Sequence, residues 1–131
     1  MAAEGDGWRG SGLVLVIDDE ETVRMVTARA LEYMGFDVLT AEDGAAGVEL
    51  FELHQEKTRC VLMDMTMPRM SGEAAFTRIQ EMQPNARVVL MSGYDEHEAG
   101  QRFPVAQLAG FLQKPFDLPT LGEVIRRAVE E

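Results

Sequence analysis

The feature that most constrains this chain is the alternation of five short apolar segments with segments of helical periodicity. The apolar segments are Leu13–Ile17, Phe36–Thr40, Cys60–Met63, Arg87–Met91 and Ala109–Gln113. Three of them are continuous and rich in Val, Leu or Ile, which is typical of strands that are buried on both faces. Each segment is far shorter than the ~18 residues of a membrane span. The pattern therefore predicts a parallel sheet with helical connections.

Helical patterns follow the apolar segments. The first pattern, Glu21–Met34, places Val23, Val26, Ala30 and Met34 at helical spacing. A second pattern is Asp43–His54, and two further patterns, Ser71–Gln83 and Asp117–Glu131, begin at residues that commonly cap helices. The remaining pattern, Asp95–Arg102, contains Gly100 and precedes Pro104, so we expect a helix there that is short or poorly ordered.

This order of elements predicts an α/β fold of three layers, with a doubly wound, five-stranded parallel sheet. The common strand order for five such strands is 2-1-3-4-5. The 131 residues fit one domain, which we place at residues 13–131. The preceding segment, Met1–Gly12, is rich in Gly and lacks the features of a signal peptide, so we interpret it as a flexible linker or tail.

The charge of the chain narrows the classes of partner. A formal net charge of −11 argues against nucleic acids and anionic membranes, because both are bound through Lys and Arg patches.

The chain has one cysteine, Cys60, and it lies in an apolar segment. An internal disulfide is therefore excluded, and a reducing compartment such as the cytoplasm is expected.

Polar residues follow the predicted strands at the edge where ligands bind in doubly wound sheets. Asp18 and Asp19 follow the first strand, Asp64 follows the third, Ser92 the fourth and Lys114 the fifth. Three carboxylates in one crevice repel each other, and a divalent cation removes that cost. Because the available ligands are oxygens, Mg²⁺ is the expected ion. One carboxylate can then attack phosphorus, while an ammonium and a hydroxyl hold the phosphoryl oxygens.

Simpler interpretations exist for the same residues. Asp64 alone is a suitable turn residue after a strand. The run Asp18–Glu20 is suited to cap the first helix. Only the combination of these residues with Ser92 and Lys114 favours chemistry over local structure.

The combination resembles the receiver domains of two-component response regulators. The residues that carry the resemblance are Asp18-Asp19-Glu20 after VLVI, Asp64 in LMDMTMPRMSG, Ser92 in VVLMSGY and Lys114-Pro115 in GFLQKP. The resemblance covers about Gly12 to Glu131 and implies the flavodoxin-like receiver fold. It also implies a signalling domain that catalyses only its own phosphorylation and dephosphorylation, rather than an enzyme.

The resemblance implies a role for each residue. Asp64 would accept a phosphoryl group from the phosphohistidine of a histidine kinase or a histidine phosphotransfer domain. Asp19, Asp64 and the backbone carbonyl of Thr66 would bind Mg²⁺, with Asp18 acting largely through water. Ser92 and Lys114 would hold the phosphoryl oxygens.

The resemblance also implies a conformational switch. Ser92 would move toward the phosphoryl group, and Phe111, three residues before Lys114, would turn inward. The Lys114-Pro115 bond would be cis. Because Gly100 and Pro104 weaken the fourth helix, where many family members dimerise, we expect a monomer or a weak dimer.

Several alternatives remain at this point. The amino-acid sequence of the motifs is most like that of receivers at the C-terminus of hybrid sensor kinases. A stand-alone single-domain regulator is the main alternative to that parentage. A phosphatase of the haloacid dehalogenase type would need a second Asp where Thr66 lies. A flavodoxin-like electron carrier would need a phosphate loop without the acidic run at Asp18–Glu20. A degenerate receiver that serves only for docking is the last alternative.

Overall fold

The sheet has the predicted number and order of strands. The computed structural model describes residues 8–130. Five parallel strands pair in the order β2-β1-β3-β4-β5. The strands are β1 Leu13–Ile17, β2 Asp37–Ala41, β3 Thr58–Asp64, β4 Val88–Ser92 and β5 Gly110–Gln113. The prediction of a doubly wound α/β fold with this strand order is confirmed.

Each predicted helical segment forms a helix. The helices are α1 Glu21–Tyr33, α2 Gly44–His54, α3 Gly72–Met82, α4 Glu96–Gly100 and α5 Leu118–Glu130. Side chains of Asp43, Ser71 and Asp117 accept hydrogen bonds from backbone N–H groups three residues on, as N-caps do. The predicted end of α5 at Glu131 lies outside the described residues.

Two apolar layers enclose the sheet. On one face, α2 and α3 contribute Phe51, Phe76 and Ile79 to a buried cluster with β1, β3 and β4. On the other face, α1 and α5 contribute Leu31 and Ile125 to a second buried cluster. The strands are therefore buried on both sides, as their continuous apolar sequences predict.

One apolar residue of α1 does not lie where the helical pattern places it. Val26 is 56% exposed, whereas Thr27 and Leu31 are buried against the sheet. The prediction that Val26 belongs to the apolar face of this helix is wrong. Residues three and four apart share a helix face, so the buried face can run through Thr27 instead. An exposed apolar side chain on α1 is the result.

The segment before β1 contacts the domain. The Trp8 ring lies 6.0 Å from the Phe36 ring, and its indole Nε1 donates to Glu130 Oε2 at 2.9 Å. Gly10 N donates to Met34 O at 2.8 Å. Trp8 therefore has an aromatic neighbour and an acceptor in the domain, and the interpretation of Met1–Gly12 as a flexible linker or tail stays a prediction. Residues 1–7 lie outside the described residues, and the domain boundary at residue 13 stays a prediction.

The helix between β4 and β5 is short, as Gly100 and Pro104 predict. Helix α4 has five residues, and a 3₁₀ turn follows at Val105–Gln107. Phe103 lies between them and is buried against Phe76, with ring centroids 5.2 Å apart. Within residues 8–130, none of the helices combines the length and the apolar character needed to cross a membrane.

Candidate functional site

The strand register brings the predicted site residues to one edge of the sheet. Ile17 pairs with Met63, so Asp18 and Asp64 directly follow neighbouring positions. Asp64 pairs with Met91, and Ser92 pairs with Gln113. Along the strand direction, Ser92 and Lys114 therefore lie within two residues of the level of Asp64. The edge is the carboxyl edge of the sheet, where the order of strands reverses between β1 and β3.

Three carboxylates form the centre of the site. Asp18, Asp19 and Asp64 each offer one oxygen, and these oxygens lie within 4.8 Å of one another. Asp18 and Asp64 are buried, whereas Asp19 is exposed. The site is thus an acidic pocket that is open to solvent on the Asp19 side.

Lys114 lies between the carboxylates. Its Nζ is 2.8 Å from Asp18 Oδ2, 3.1 Å from Glu20 Oε1 and 3.2 Å from Asp64 Oδ1. The Lys114-Pro115 peptide bond is cis, as the resemblance implies. One ammonium therefore faces several acidic groups, and the site keeps a net negative charge.

The titration of Asp64 and Lys114 reflects this crowding. Burial, and then the charge of Asp18, raise the pKa of Asp64 to about 6, although the nearby Lys114 opposes the shift. Burial alone would lower the pKa of Lys114, but its close ion pair with Asp18 and the charge of Asp64 outweigh that effect, so the pKa is raised. Asp64 is thus held under electrostatic strain that an added cation would relieve.

The donor set suits a hard divalent cation. The ligand atoms are carboxylate oxygens, which Mg²⁺ prefers, and they converge without a nearby His or Cys in the described cluster. Among the described residues, buried Asp18 Oδ2 is the side-chain atom without a well-directed hydrogen bond, and its charge is met by the Lys114 ammonium. An acidic pocket with an unsatisfied buried oxygen fits a bound cation.

Ser92 lies at the end of β4 and is buried. Its Oγ accepts a hydrogen bond from Tyr94 N at 2.9 Å, and its carbonyl accepts one from Lys114 N at 2.7 Å. The first contact uses a lone pair of the hydroxyl and leaves the O–H group able to donate. The backbone of Ser92 thereby ties the β4 end to the lysine.

Thr66 and Phe111 are the remaining residues to which the resemblance assigns a role. Thr66 is exposed in the loop after β3, two residues beyond Asp64. Phe111 is half-buried on β5 and packs against the cluster that contains Phe76 and Phe103. Both positions agree with the sequence expectation, while the roles of the two residues stay predictions.

Sequence reasoning missed two residues of the site. Glu20 pairs with Lys114, whereas the sequence places it in the acidic run after β1 without assigning it a partner or a role in the site. Arg24 Nη1 donates to Asp18 O at 2.7 Å and so fixes the backbone after β1. Its position one helical turn after Glu20 is the signal in the sequence that could have indicated this contact.

A comparison with models of protein families gives a direct match over residues 14–126, to the response regulator receiver domain. The chain belongs to this family. The match decides against the haloacid dehalogenase and flavodoxin alternatives. Receiver domains are generally non-catalytic signalling domains of two-component systems, and phosphorylation and Mg²⁺ binding at an acidic pocket are typical of them.

Curated relatives of this receiver domain include whole proteins of different length. The chain is 33% identical over 125 residues to the sensor kinase CckA of Brucella abortus, covering 93% of this chain and 13% of that protein. It is 31% identical over 118 residues to the regulatory protein AtoC of Escherichia coli, covering 89% and 25%. It is 34% identical over 105 residues to the chemotaxis protein CheY of Treponema pallidum, covering 79% and 73%.

Solved structures agree with this assignment. A receiver domain from Clostridium thermocellum has a TM-score of 0.83 at 28% identity, covering 91% of this chain and 94% of that one. The receiver domain of the hybrid histidine kinase CckA gives 0.76 at 29%, covering 90% and 99%. CheY in the CheX-CheY-BeF3-Mg+2 complex of Borrelia burgdorferi gives 0.78 at 28%, covering 87% and 86%.

Proposed function

We propose that this receiver domain accepts a phosphoryl group on Asp64 from the phosphohistidine of a histidine kinase or a histidine phosphotransfer domain. The observation that carries the proposal is the convergence of three carboxylates within 4.8 Å with the Lys114 ammonium among them. Asp64 is the candidate nucleophile because it ends the central strand β3, is buried, and lies 3.2 Å from Lys114.

Each residue has a distinct part in the reaction. A carboxylate oxygen of Asp64 forms a bond to phosphorus, and the bond from phosphorus to the histidine nitrogen breaks, so the imidazole keeps the electron pair and takes up a proton. Lys114 and the Ser92 hydroxyl stabilise the phosphoryl oxygens by charge and hydrogen bonding. Asp19, Asp64, the Thr66 carbonyl and, through water, Asp18 would hold Mg²⁺. When bound there, the ion would supply positive charge to the carboxylates and the phosphoryl oxygens.

A groove beside the site suits the phosphodonor. It has a volume of about 430 Å³ and is lined in part by Val23, Val26, Lys114 and Phe116. The groove therefore extends from an apolar surface, which includes the exposed Val26, to the Lys114 ammonium. Apolar contact on α1 would position the partner's histidine next to Asp64, which is the entropic contribution that phosphoryl transfer requires.

The new dianion would then change the surface of the domain. The Ser92 hydroxyl and its loop would move toward the phosphoryl group, and half-buried Phe111 would turn further inward. The short α4 and the 3₁₀ turn lie between Ser92 and Phe111 in the chain. They form the segment that can rearrange at the lowest cost in free energy.

The test is intact-protein mass spectrometry after incubation with acetyl phosphate, with and without Mg²⁺. We expect a Mg²⁺-dependent gain of one phosphoryl group that is absent in Asp64→Asn. Asp37→Asn removes an exposed carboxylate at the start of β2 and serves as the matched control. Absence of any gain in the unsubstituted protein would favour a docking module that is not phosphorylated.

We further infer that the domain serves a hybrid sensor kinase. The similarity to CckA over 93% of the chain supports this parentage. The similarity to CheY, of which the chain covers 73%, supports the alternative of a stand-alone regulator. Immunoblotting of source cells with an antibody against the domain separates the two. A band much larger than this chain is expected, and a band of its own size would favour the stand-alone regulator.

A further inference from the structure

The loop after β3 is fixed at both ends by the strands. Met65 N donates to Met91 O at 3.0 Å, and Gly72 N donates to Met65 O at 2.9 Å. A Cβ atom on Gly72 would lie 2.5 Å from Asp64 O, so the end of the loop returns directly onto the end of the strand. Met65 and Met67 are buried. These contacts hold the base of the loop, but they do not reach its outer turn.

The outer turn of the loop is held from the neighbouring helix. Arg69 donates through Nε and Nη2 to Asp43 Oδ2, with the Nε bond at 2.8 Å. The other carboxylate oxygen, Asp43 Oδ1, accepts from Ala46 N at 2.8 Å and caps α2. A Cβ atom on Gly44 would lie 2.3 Å from Met70 O, so the start of α2 lies directly against the loop. The start of α2 and the outer turn of the loop are thus in direct contact.

The Arg69–Asp43 pair differs from an ordinary surface ion pair. The Arg69 side chain is 62% exposed, but that of Asp43 is only 6% exposed and is fixed by its capping bond. Two hydrogen bonds from one guanidinium to a fixed, buried carboxylate give directional strength that exposed pairs lack. Arg69 is also the one non-glycine residue of positive φ, at 67°, within residues 8–130. Its backbone therefore adopts a conformation that the surrounding contacts must maintain.

We propose that Arg69 is a positioning residue for the divalent-cation site, because its bond to Asp43 holds the turn that carries the Thr66 carbonyl. The inference rests on the proposed function in one respect, since it takes Thr66 to be a ligand of Mg²⁺. Thr66 is three residues before Arg69 and two after Asp64, so it lies between the fixed base of the loop and the fixed turn. Partners that orient a ligand commonly alter metal affinity by about 10- to 100-fold when they are removed.

The sign of the effect separates positioning from simple electrostatics. Removal of a positive charge near an acidic pocket would by itself strengthen the binding of a cation. If Arg69 positions the loop, its removal weakens binding instead. A role limited to stability would lower the melting temperature and leave the affinity for Mg²⁺ unchanged or slightly higher.

The experiment is isothermal titration calorimetry of the full chain with MgCl₂, together with thermal unfolding. Arg69→Asn is the main variant, because Asn tolerates positive φ and is too short to reach Asp43. Arg69→Lys keeps the charge but offers a single point of contact. Arg78→Asn removes an exposed arginine of α3 and is the control. We expect about tenfold weaker binding for Arg69→Asn, an intermediate value for Arg69→Lys and no change for the control.

Three results would count against the inference, and they are distinguishable. If the unsubstituted protein binds Mg²⁺ and Arg69→Asn binds it equally well or better, Arg69 has only a structural role. If Arg69→Lys and Arg78→Asn weaken binding as much as Arg69→Asn does, the effect is not specific to the bond with Asp43. If the unsubstituted protein itself does not bind Mg²⁺, the proposed function fails together with this inference.

Discussion

The two halves of the sheet's carboxyl edge are built with different degrees of constraint. At β1 and β3, the acidic residues end or directly follow buried strands, and close backbone contacts at Gly44 and Gly72 leave no space for a side chain. Beyond β4, a Cβ atom on Gly93 would meet no described atom within 4 Å, and the helix that follows has only five residues. The first half has the rigidity that the proposed phosphoryl transfer needs, and the second has the freedom that the proposed switch needs.

The largest expected effect is a loss of stability caused by a substitution in the first half of the edge. In Gly72→Ala, the new Cβ atom would lie 2.5 Å from the backbone oxygen of Asp64, and backbone cannot yield as a flexible side chain can. We expect a loss of about 3 kcal/mol in the free energy of unfolding. Circular dichroism should then show a melting temperature lower by about 10 °C. Gly93→Ala is the control, with a change within about 0.5 kcal/mol. Similar losses in the two variants would refute the contrast between the halves.

The next effect concerns Phe103, the buried aromatic residue between α4 and β5. Phe103 is buried and packs on Phe76, so Phe103→Ala should cost about 3 kcal/mol or slightly less, because the short segment around it can relax. Hydrogen exchange should accelerate between α4 and β5 before it does so in β1 and β3. The milder Phe103→Leu should retain most of the stability. Uniform acceleration over the whole sheet would show that the segment is not an independent unit.

The third effect is the pH dependence that the acidic half produces. The pKa of Asp64 is raised to about 6, so between pH ~4 and 6 the folded state binds more protons than the unfolded state. Its contribution to the free energy of unfolding therefore falls as pH rises through this window, by about 3 kcal/mol. Urea unfolding without Mg²⁺ should show Asp64→Asn more stable than the unsubstituted protein at pH 7 and equal to it at pH 4. A difference that does not depend on pH would contradict this origin.

Saturating Mg²⁺ should reverse the order of the two proteins at pH 7. Binding at 1,000 times the dissociation constant adds about 4.1 kcal/mol to the protein that holds the ion, which exceeds the cost of the buried Asp64 charge. Asp64→Asn lacks one carboxylate of the cluster and should gain less. An equal gain in both proteins would place the ion away from this site.

The smallest effect compares the caps of a short and a longer helix. Asp95 and Glu98 form a capping box at α4, with Asp95 Oδ1 accepting from Glu98 N at 2.8 Å. Ser71 caps the eleven-residue α3. Asp95→Ala and Ser71→Ala should each cost about 1 kcal/mol by urea unfolding. Hydrogen exchange should increase locally only for Asp95→Ala, since packing holds α3 without its cap. If Ser71→Ala shows the same local increase, the two helices are equally constrained.

Much of this division was predictable from the sequence. Apolar segments of strand length mark β1 to β5, and the residue that ends each strand reaches the carboxyl edge by the rules of parallel sheets. Asp18, Asp19, Asp64, Ser92 and Lys114 were found in this way. Gly100 and Pro104 also predict the weak α4, because each disfavours helix at its own position.

Other features depend on contacts that leave no local pattern. Arg69 and Asp43 are 26 residues apart and meet only because α2 and the β3 loop are adjacent in the fold. The exposure of Val26 follows from the exact rotation of α1, which spacing alone does not fix. Trp8 lies in a Gly-rich segment, and its contacts with Phe36 and Glu130 come from two distant parts of the chain.

The hydrogen bond between Trp8 and Glu130 joins the segment that enters the domain to the last helix that leaves it. Trp8 also packs on Phe36, just before β2, at the amino edge of the sheet. Entry and exit therefore lie side by side, across the whole length of the strands from the acidic pocket. A domain with this geometry can be joined to other domains at either end without covering the surface around the acidic pocket, where its partner must approach.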